Sequence, residues 1–135
     1  MDNLIRICLQ FRKAIEKTNK NELLISFKNF PLGSCGDTSL ILGSYLHSKG
    51  YGVYNYICGE RGEQSHAWLE KDGLIIDITS DQFGKENSSV YVGLINDFYS
   101  EFEVEFSHPY YESLDGNSID TDTLYNDYIK ICANL

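Results

Sequence analysis

The sequence predicts a single α+β domain: N-terminal helices, one of them buried and carrying a candidate nucleophile, packed on an antiparallel β-sheet. Three features predict it. Apolar side chains recur at helical spacing through the first third of the chain, the period changes to that of strands from Tyr51, and Asp72-Gly73 sits between two apolar runs. With 135 residues the chain suffices for one compact domain and is too short for two separate cores, so residues 1–135 are read as one unit.

The elements follow in order. Over residues 2–17, Leu4, Ile5, Cys8, Leu9, Phe11 and Ile15 recur at spacings of three and four, with Arg12, Lys13, Glu16 and Lys17 off that stripe; Asp2 is the expected N-cap. Residues 18–21 break the pattern, and a short apolar stretch over 22–30 runs into a turn at Pro31-Leu32-Gly33-Ser34. A second helix is expected from Ser34 or Cys35 to His47 or Ser48, closed by Lys49-Gly50. Its density of apolar residues (Leu40, Ile41, Leu42, Tyr45, Leu46) requires burial.

Residues 53–58 are rich in strand formers, and 59–64 read as a polar loop. Residues 66–70 and 74–79 read as a hairpin about Asp72-Gly73, because a type I′ turn needs positive φ at both central residues. Further strands are expected at 90–92 and 102–106, a loop at 107–117 and a closing helix at 121–133.

Composition narrows the function. Hydrophobic residues at 42% and charged residues at 23% exclude a globally disordered chain. No apolar run reaches the roughly 20 residues of a membrane helix, and the first residues lack a basic region followed by an apolar one, so the expected compartment is the cytoplasm. A net charge of −9 argues against nucleic acid and against anionic membrane surfaces. The cysteines Cys8, Cys35, Cys58 and Cys132 stand without C-x-x-C spacing, so neither a metal site, a cofactor nor a disulfide framework is expected.

Cys35 differs from the other three. At the first turn of a buried helix, unpaired N–H groups and the positive end of the macrodipole favour thiolate over thiol. Gly33 and Gly36 leave the backbone on either side open to a substrate carbonyl. Alone, Cys35 reads first as a small residue at a tight helix entry, because buried inert cysteines are common. The hairpin supplies its partners. A two-residue turn pairs Lys71 with Leu74, which sets Trp68 opposite Asp77 and projects His66, Trp68 and Asp77 from one face. His66 and Asp77 are then diagonal neighbours, roughly 7 Å apart by Cβ, within reach of a carboxylate–imidazole hydrogen bond. A three-residue turn would put Asp77 on the reverse face.

Three ordered blocks, Gly33-Ser34-Cys35-Gly36-Asp37, His66-Ala67-Trp68-Leu69-Glu70 and Asp77-Ile78-Thr79, resemble the transglutaminase-like core of the papain-like cysteine hydrolase superfamily: G-x-C at a helix start, H-A-W-x-E on a strand and D-x-T on the next. The likeness runs from about Leu32 to Phe83. It implies a Cys35-His66-Asp77 triad and acyl transfer through a thioester on a peptide or amide bond, as in peptidases, amidases and deamidases, with a peptide, protein or amide-containing small molecule as substrate. The segment between Cys35 and His66 is short for transglutamination, which needs a channel for an amine. The side-chain oxyanion donor that such enzymes often place upstream of the nucleophile is not evident, since those positions carry Phe27, Asn29 and Phe30. The Cys35 N–H is one candidate donor; Asn29, Gln64 and Gln82 are candidates for a second.

Trp68 reads as a cleft wall or as sheet packing, and Asp81-Gln82-Phe83 as site lining or ordinary loop. Tyr99, Tyr110, Tyr111, Tyr125 and Tyr128 read as packing or as a recognition surface; Asp37 as an acid serving the helix start; His47 and His108 as structural. A function of another class is a catalytically silent protein-binding module on the same fold. Oligomeric state is open.

Overall fold

The computed structural model describes residues 2–114 and 119–135, with side chains from 122 onward in the second segment. Helix α1 (Asp2–Lys17) leads through two 3-10 turns to α2 (Cys35–Ser48), then β1 (Asn55–Arg61), β2 (Gln64–Lys71), β3 (Leu74–Asp77), a 3-10 turn (Ser80–Phe83), β4 (Tyr91–Gly93), the four-residue α3 (Asp97–Ser100), β5 (Glu103–Pro109), a 3-10 turn (Tyr110–Ser113) and α4 (Ile119–Cys132). The strands form one antiparallel sheet in the order β4-β3-β2-β1-β5. The chain is therefore α+β, with a five-stranded antiparallel sheet. No helix among the described residues is long and apolar enough to cross a membrane.

Two apolar layers cover the sheet. On one face α2 lies over β2 and β1 with α1 and α4 beside it, and Leu42, Leu46, Phe11, Ile15, Leu69 and Ile76 close the main core. The other face carries a smaller aromatic cluster: Ile57, Trp68, Ile75, Tyr99 and Phe102, flanked by Phe83, Tyr91 and Phe98. Gly43 on α2 is required by close approach, since a Cβ there would stand 2.9 Å from Tyr110 Cγ. Gly43→Ala is expected to lower stability by about 1–3 kcal/mol through overpacking, read from the denaturant midpoint at unchanged m-value.

Helix α1 spans the expected residues, with Asp2 inside the first turn rather than capping it. Arg12 departs from the polar face assigned to it. It is buried and grips Asp81 with two hydrogen bonds (2.8 and 2.9 Å), donates to Ile78 O at 2.7 Å and pairs with Glu16 at 3.1 Å. Its guanidinium also lies 4.6 Å from the centre of the Phe30 ring. A helical wheel cannot register a carboxylate 69 residues away. Removing one member of such a pair leaves a poorly solvated charge, so Arg12→Met is expected to cost about 2–4 kcal/mol by denaturant unfolding.

The hairpin register is the expected one, Lys71 with Leu74, Glu70 with Ile75 and Leu69 with Ile76; Asp72 and Gly73 take φ of 52° and 83°. The polar loop expected at 59–64 is mostly strand instead. β1 runs on to Arg61, which pairs with Gln64 across a tight Gly62-Glu63 turn. The signal that misled is Gly59: it serves a close approach by β5, where a Cβ would stand 3.0 Å from Glu103 O beside a register shift at Cys58/Gly59. β5 extends to Pro109, paired with Asn55, beyond the expected 102–106, and the expected loop begins later. Residues 115–117 of that loop lie outside the described residues. β3 ends at Asp77, two residues early, as Thr79 turns into the following 3-10 segment.

Candidate functional site

The site forms where α2 begins and where β3 stops short beside β2. α2 starts at Cys35 with no side-chain cap: the Ser34 hydroxyl donates backward to Pro31 O at 3.0 Å instead of accepting from the first turn. The first N–H groups of the helix therefore remain unpaired by the N-cap side chain, next to a half-exposed sulfur. Asp37, in the first turn, is held by the Ser26 hydroxyl at 2.6 Å.

Asp77, the last residue of β3, is buried, and four donors satisfy its carboxylate. His66 Nε2 and the Tyr99 hydroxyl donate to Oδ2 at 2.6 and 2.8 Å; the Thr79 amide and hydroxyl donate to Oδ1 at 2.9 and 3.2 Å. A buried carboxylate is tolerated only with such partners. With Nε2–H committed to Asp77, Nδ1 is left for the sulfur and for the Gln82 side chain, whose amide nitrogen stands 3.3 Å away.

His66 is fully buried in an aromatic enclosure. Phe83 meets its ring edge-on at 4.9 Å between centroids, and Trp68, Phe102 and Phe98 lie at 5.7, 5.9 and 6.1 Å. Arg61 caps the enclosure, its guanidinium 4.8–5.5 Å from the rings of Phe102, Phe98 and Phe83. Burial alone would push the imidazole down. The charge and hydrogen bond of Asp77, together with the sulfur of Cys35, outweigh it and raise His66 to about 9.

Cys35 moves the other way. Burial raises the thiol, but hydrogen bonding and positive charge from His66, and the Ala67 N–H, bring it below the ordinary thiol value against a smaller opposing push from Asp77. The ladder between β2 and β3 stops at Leu69, so no β3 residue pairs with Ala67. The other cysteines are raised by burial, Cys8 to about 12, and Cys58 and Cys132 also upward. Acidity separates Cys35 from the other thiols, and the arrangement favours a thiolate–imidazolium pair.

Of the residues singled out in the sequence, Cys35, His66, Asp77, Gln82 and Trp68 come together; Asn29 and Gln64 do not join them. Asn29 lies exposed in the turn before Pro31. Gln64 opens β2 with its carbonyl oxygen taken by Arg61 at 2.8 and 3.1 Å. Trp68 is buried in the aromatic layer, its indole N–H without a hydrogen-bond partner among the described residues. His47 bonds the Tyr110 hydroxyl at 2.8 Å, and His108 stacks on Tyr56. A cavity of about 270 Å³ lined by Ile41, Ser44, Leu114, Leu124, Tyr125 and Tyr128 contains none of the residues singled out for catalysis.

Three contributions escaped the sequence reading, the bonds of Thr79 and of Tyr99 to Asp77 and the contacts of Phe98 and Phe102 with His66, whereas Phe83 is among the residues read as site lining or ordinary loop. Thr79 had a local signal, a short hydroxyl residue two positions after an acid, where side-chain-to-backbone bonds form. Tyr99 had none, since it reaches Asp77 from 22 residues away. The phenylalanines around His66 come from separate segments that only the tertiary fold unites.

No family model, no curated protein and no solved structure matches the chain.

Proposed function

We propose that the chain is a cysteine-dependent hydrolase or acyltransferase acting on a peptide or amide bond, with the transglutaminase-like arrangement that its three sequence blocks resemble. The observation that carries this reading is the 2.6 Å bond between His66 and Asp77 beside a thiol of lowered pKa at an uncapped helix start. Cys35 is the nucleophile, His66 the acid and base, and Asp77 the residue that fixes the ring and stabilises its charge.

Chemistry follows from the ring geometry. The Cys35 thiolate attacks the acyl carbon, and the carbonyl π pair moves onto oxygen, facing the helix N–H groups. Collapse breaks the C–N bond, with the Nδ1 proton passing to the departing amine, and leaves a thioester. Neutral His66 then takes a proton from water, or from an amine, as it attacks the thioester. Amide turnover accordingly rises with Cys35 ionisation on the acidic side and falls above about pH 9, where His66 loses the proton owed to the leaving group. Expected substrates are peptides, proteins or small amides. The cytoplasm suits a chain with four free thiols, one of them reactive.

Acetyl transfer from p-nitrophenyl acetate tests this without a known substrate. Acid-quenched protein should carry one acetyl group on Cys35, and Cys35→Ala should carry none while keeping the native circular dichroism. Equal acetylation of both proteins would remove the enzymatic reading and favour a silent binding module.

A further inference from the structure

We infer that Gln82 is the side-chain oxyanion donor of this site, and that protonation of His66 releases its amide to the substrate oxygen. The inference rests on the acyl-transfer reading and adds a catalytic residue to it.

Position comes first. Gln82 sits mid-way along the 3-10 turn that follows β3 by way of Ile78 and Thr79, and its neighbours on both sides are anchored. Asp81 is gripped bidentately by Arg12 from α1, and Phe83 stands edge-on against the His66 ring at 4.9 Å. Ser80, one step earlier, donates to Ser88 O at 2.8 Å. A half-buried side chain is thus carried on a backbone fixed by a part-buried ion pair and an aromatic contact. Its amide nitrogen bonds only His66 Nδ1, at 3.3 Å, among the described residues. The other two amide candidates make no hydrogen bond to the ring among the described residues: Asn29 is exposed in the turn before Pro31, and the Gln64 side-chain oxygen is bound by Arg61.

The proton inventory gives this contact its meaning. While His66 is neutral, Nε2–H is given to Asp77 and Nδ1 accepts from the Gln82 amide. Once Nδ1 carries the proton taken from Cys35, it is a donor and no longer an acceptor. The Gln82 N–H therefore has no acceptor on the ring once the thiolate–imidazolium pair has formed, and is free when the thiolate attacks. The forming S–C bond drives the carbonyl π pair onto oxygen, and that oxygen is the new acceptor, shared with the N–H groups at the start of α2 that the Ser34 side chain leaves uncapped. When collapse returns the pair and expels the leaving group, His66 is left neutral in amide cleavage, and Gln82 can bond the ring again.

Two electrophiles separate this role from a structural one. Iodoacetamide reacts with a thiolate by displacement at a saturated carbon and forms no oxyanion, whereas p-nitrophenyl acetate passes through one. For Gln82→Met and Gln82→Ala, acetylation of Cys35 is expected to slow by about 10²-fold, near the lower end of the range for losing one oxyanion donor, with alkylation within about twofold of the parent. Equal slowing of both reactions, or of neither, in either folded variant would overturn the assignment to Gln82 and leave the triad standing. Failure of the parent protein to acetylate Cys35 would instead sink the acyl-transfer reading, and the donor role with it. Native circular dichroism, independent of either reaction, establishes that each variant is folded.

Discussion

Replacement of Asp77 by Asn is expected to lower acyl turnover by about 10³–10⁴-fold while leaving the hairpin in place. The carboxylate does two things that an amide of the same shape cannot. It holds Nε2 protonated through the 2.6 Å bond, which leaves Nδ1 as the nitrogen able to take the Cys35 proton, and it supplies the charge that offsets burial of the imidazolium. An Asn side chain can present its NH₂ group to Nε2, which selects the opposite tautomer. His66 sits near 9 because Asp77 and Cys35 outweigh desolvation. With the carboxylate charge gone, burial is opposed only by Cys35, and the titration midpoint is expected to fall well below 9. The chain has three histidines, so the ring signals are few enough to follow by NMR. A His66 midpoint that stays near 9 in Asp77→Asn would show that the imidazolium is held by something other than this acid. Tyr99→Phe, which removes one of the four donors to Asp77 but keeps the ring, should produce a smaller loss in turnover.

The second large effect is expected at the thiol itself. His66→Ala removes both its hydrogen bond to Cys35 and its positive charge, leaving burial as the largest remaining influence, opposed by the Ala67 N–H. The midpoint of Cys35 alkylation should therefore move from below the ordinary thiol value to above it, and at neutral pH the rate should fall by up to about tenfold for each unit moved. Sign matters more than size here. If the profile stays put, the helix start and the Ala67 amide alone acidify the thiol, and the imidazole has no part in activating it.

These expectations show which parts of the molecule could be read from the chain. The α1 stripe, the buried α2 and the Asp72-Gly73 turn are local patterns, each fixed by residues within a few positions of one another. Because the turn sets the register, it carried His66 and Asp77 to one face with no knowledge of the rest of the sheet. The elements misread were those with non-local causes. Gly59 resembles a loop residue until β5 is known to pass beside it, and Arg12 resembles a surface residue until Asp81 arrives. The short α3, whose Asn96 cap bonds Tyr99 N at 3.2 Å, is too brief to leave a periodic signal. Tyr99 and the phenylalanine enclosure of His66 belong to the same class. For the site, residue types along the chain identified the nucleophile, the base and the acid as candidates; which glutamine faces the ring depended on how the segment after β3 folds back.

The most direct test of a thiolate made by His66 and Asp77 is residue-resolved alkylation kinetics of the folded protein with iodoacetamide at about pH 6.5, followed by peptide mass mapping. At that pH a thiol raised to about 12, as Cys8 is, holds roughly one part in 10⁵ to 10⁶ as thiolate. Cys35 should be modified at least tenfold faster than Cys8, Cys58 or Cys132. Modification of Cys35 no faster than half-exposed Cys58 or Cys132 would mean that the imidazole and carboxylate beside it do not generate a nucleophile.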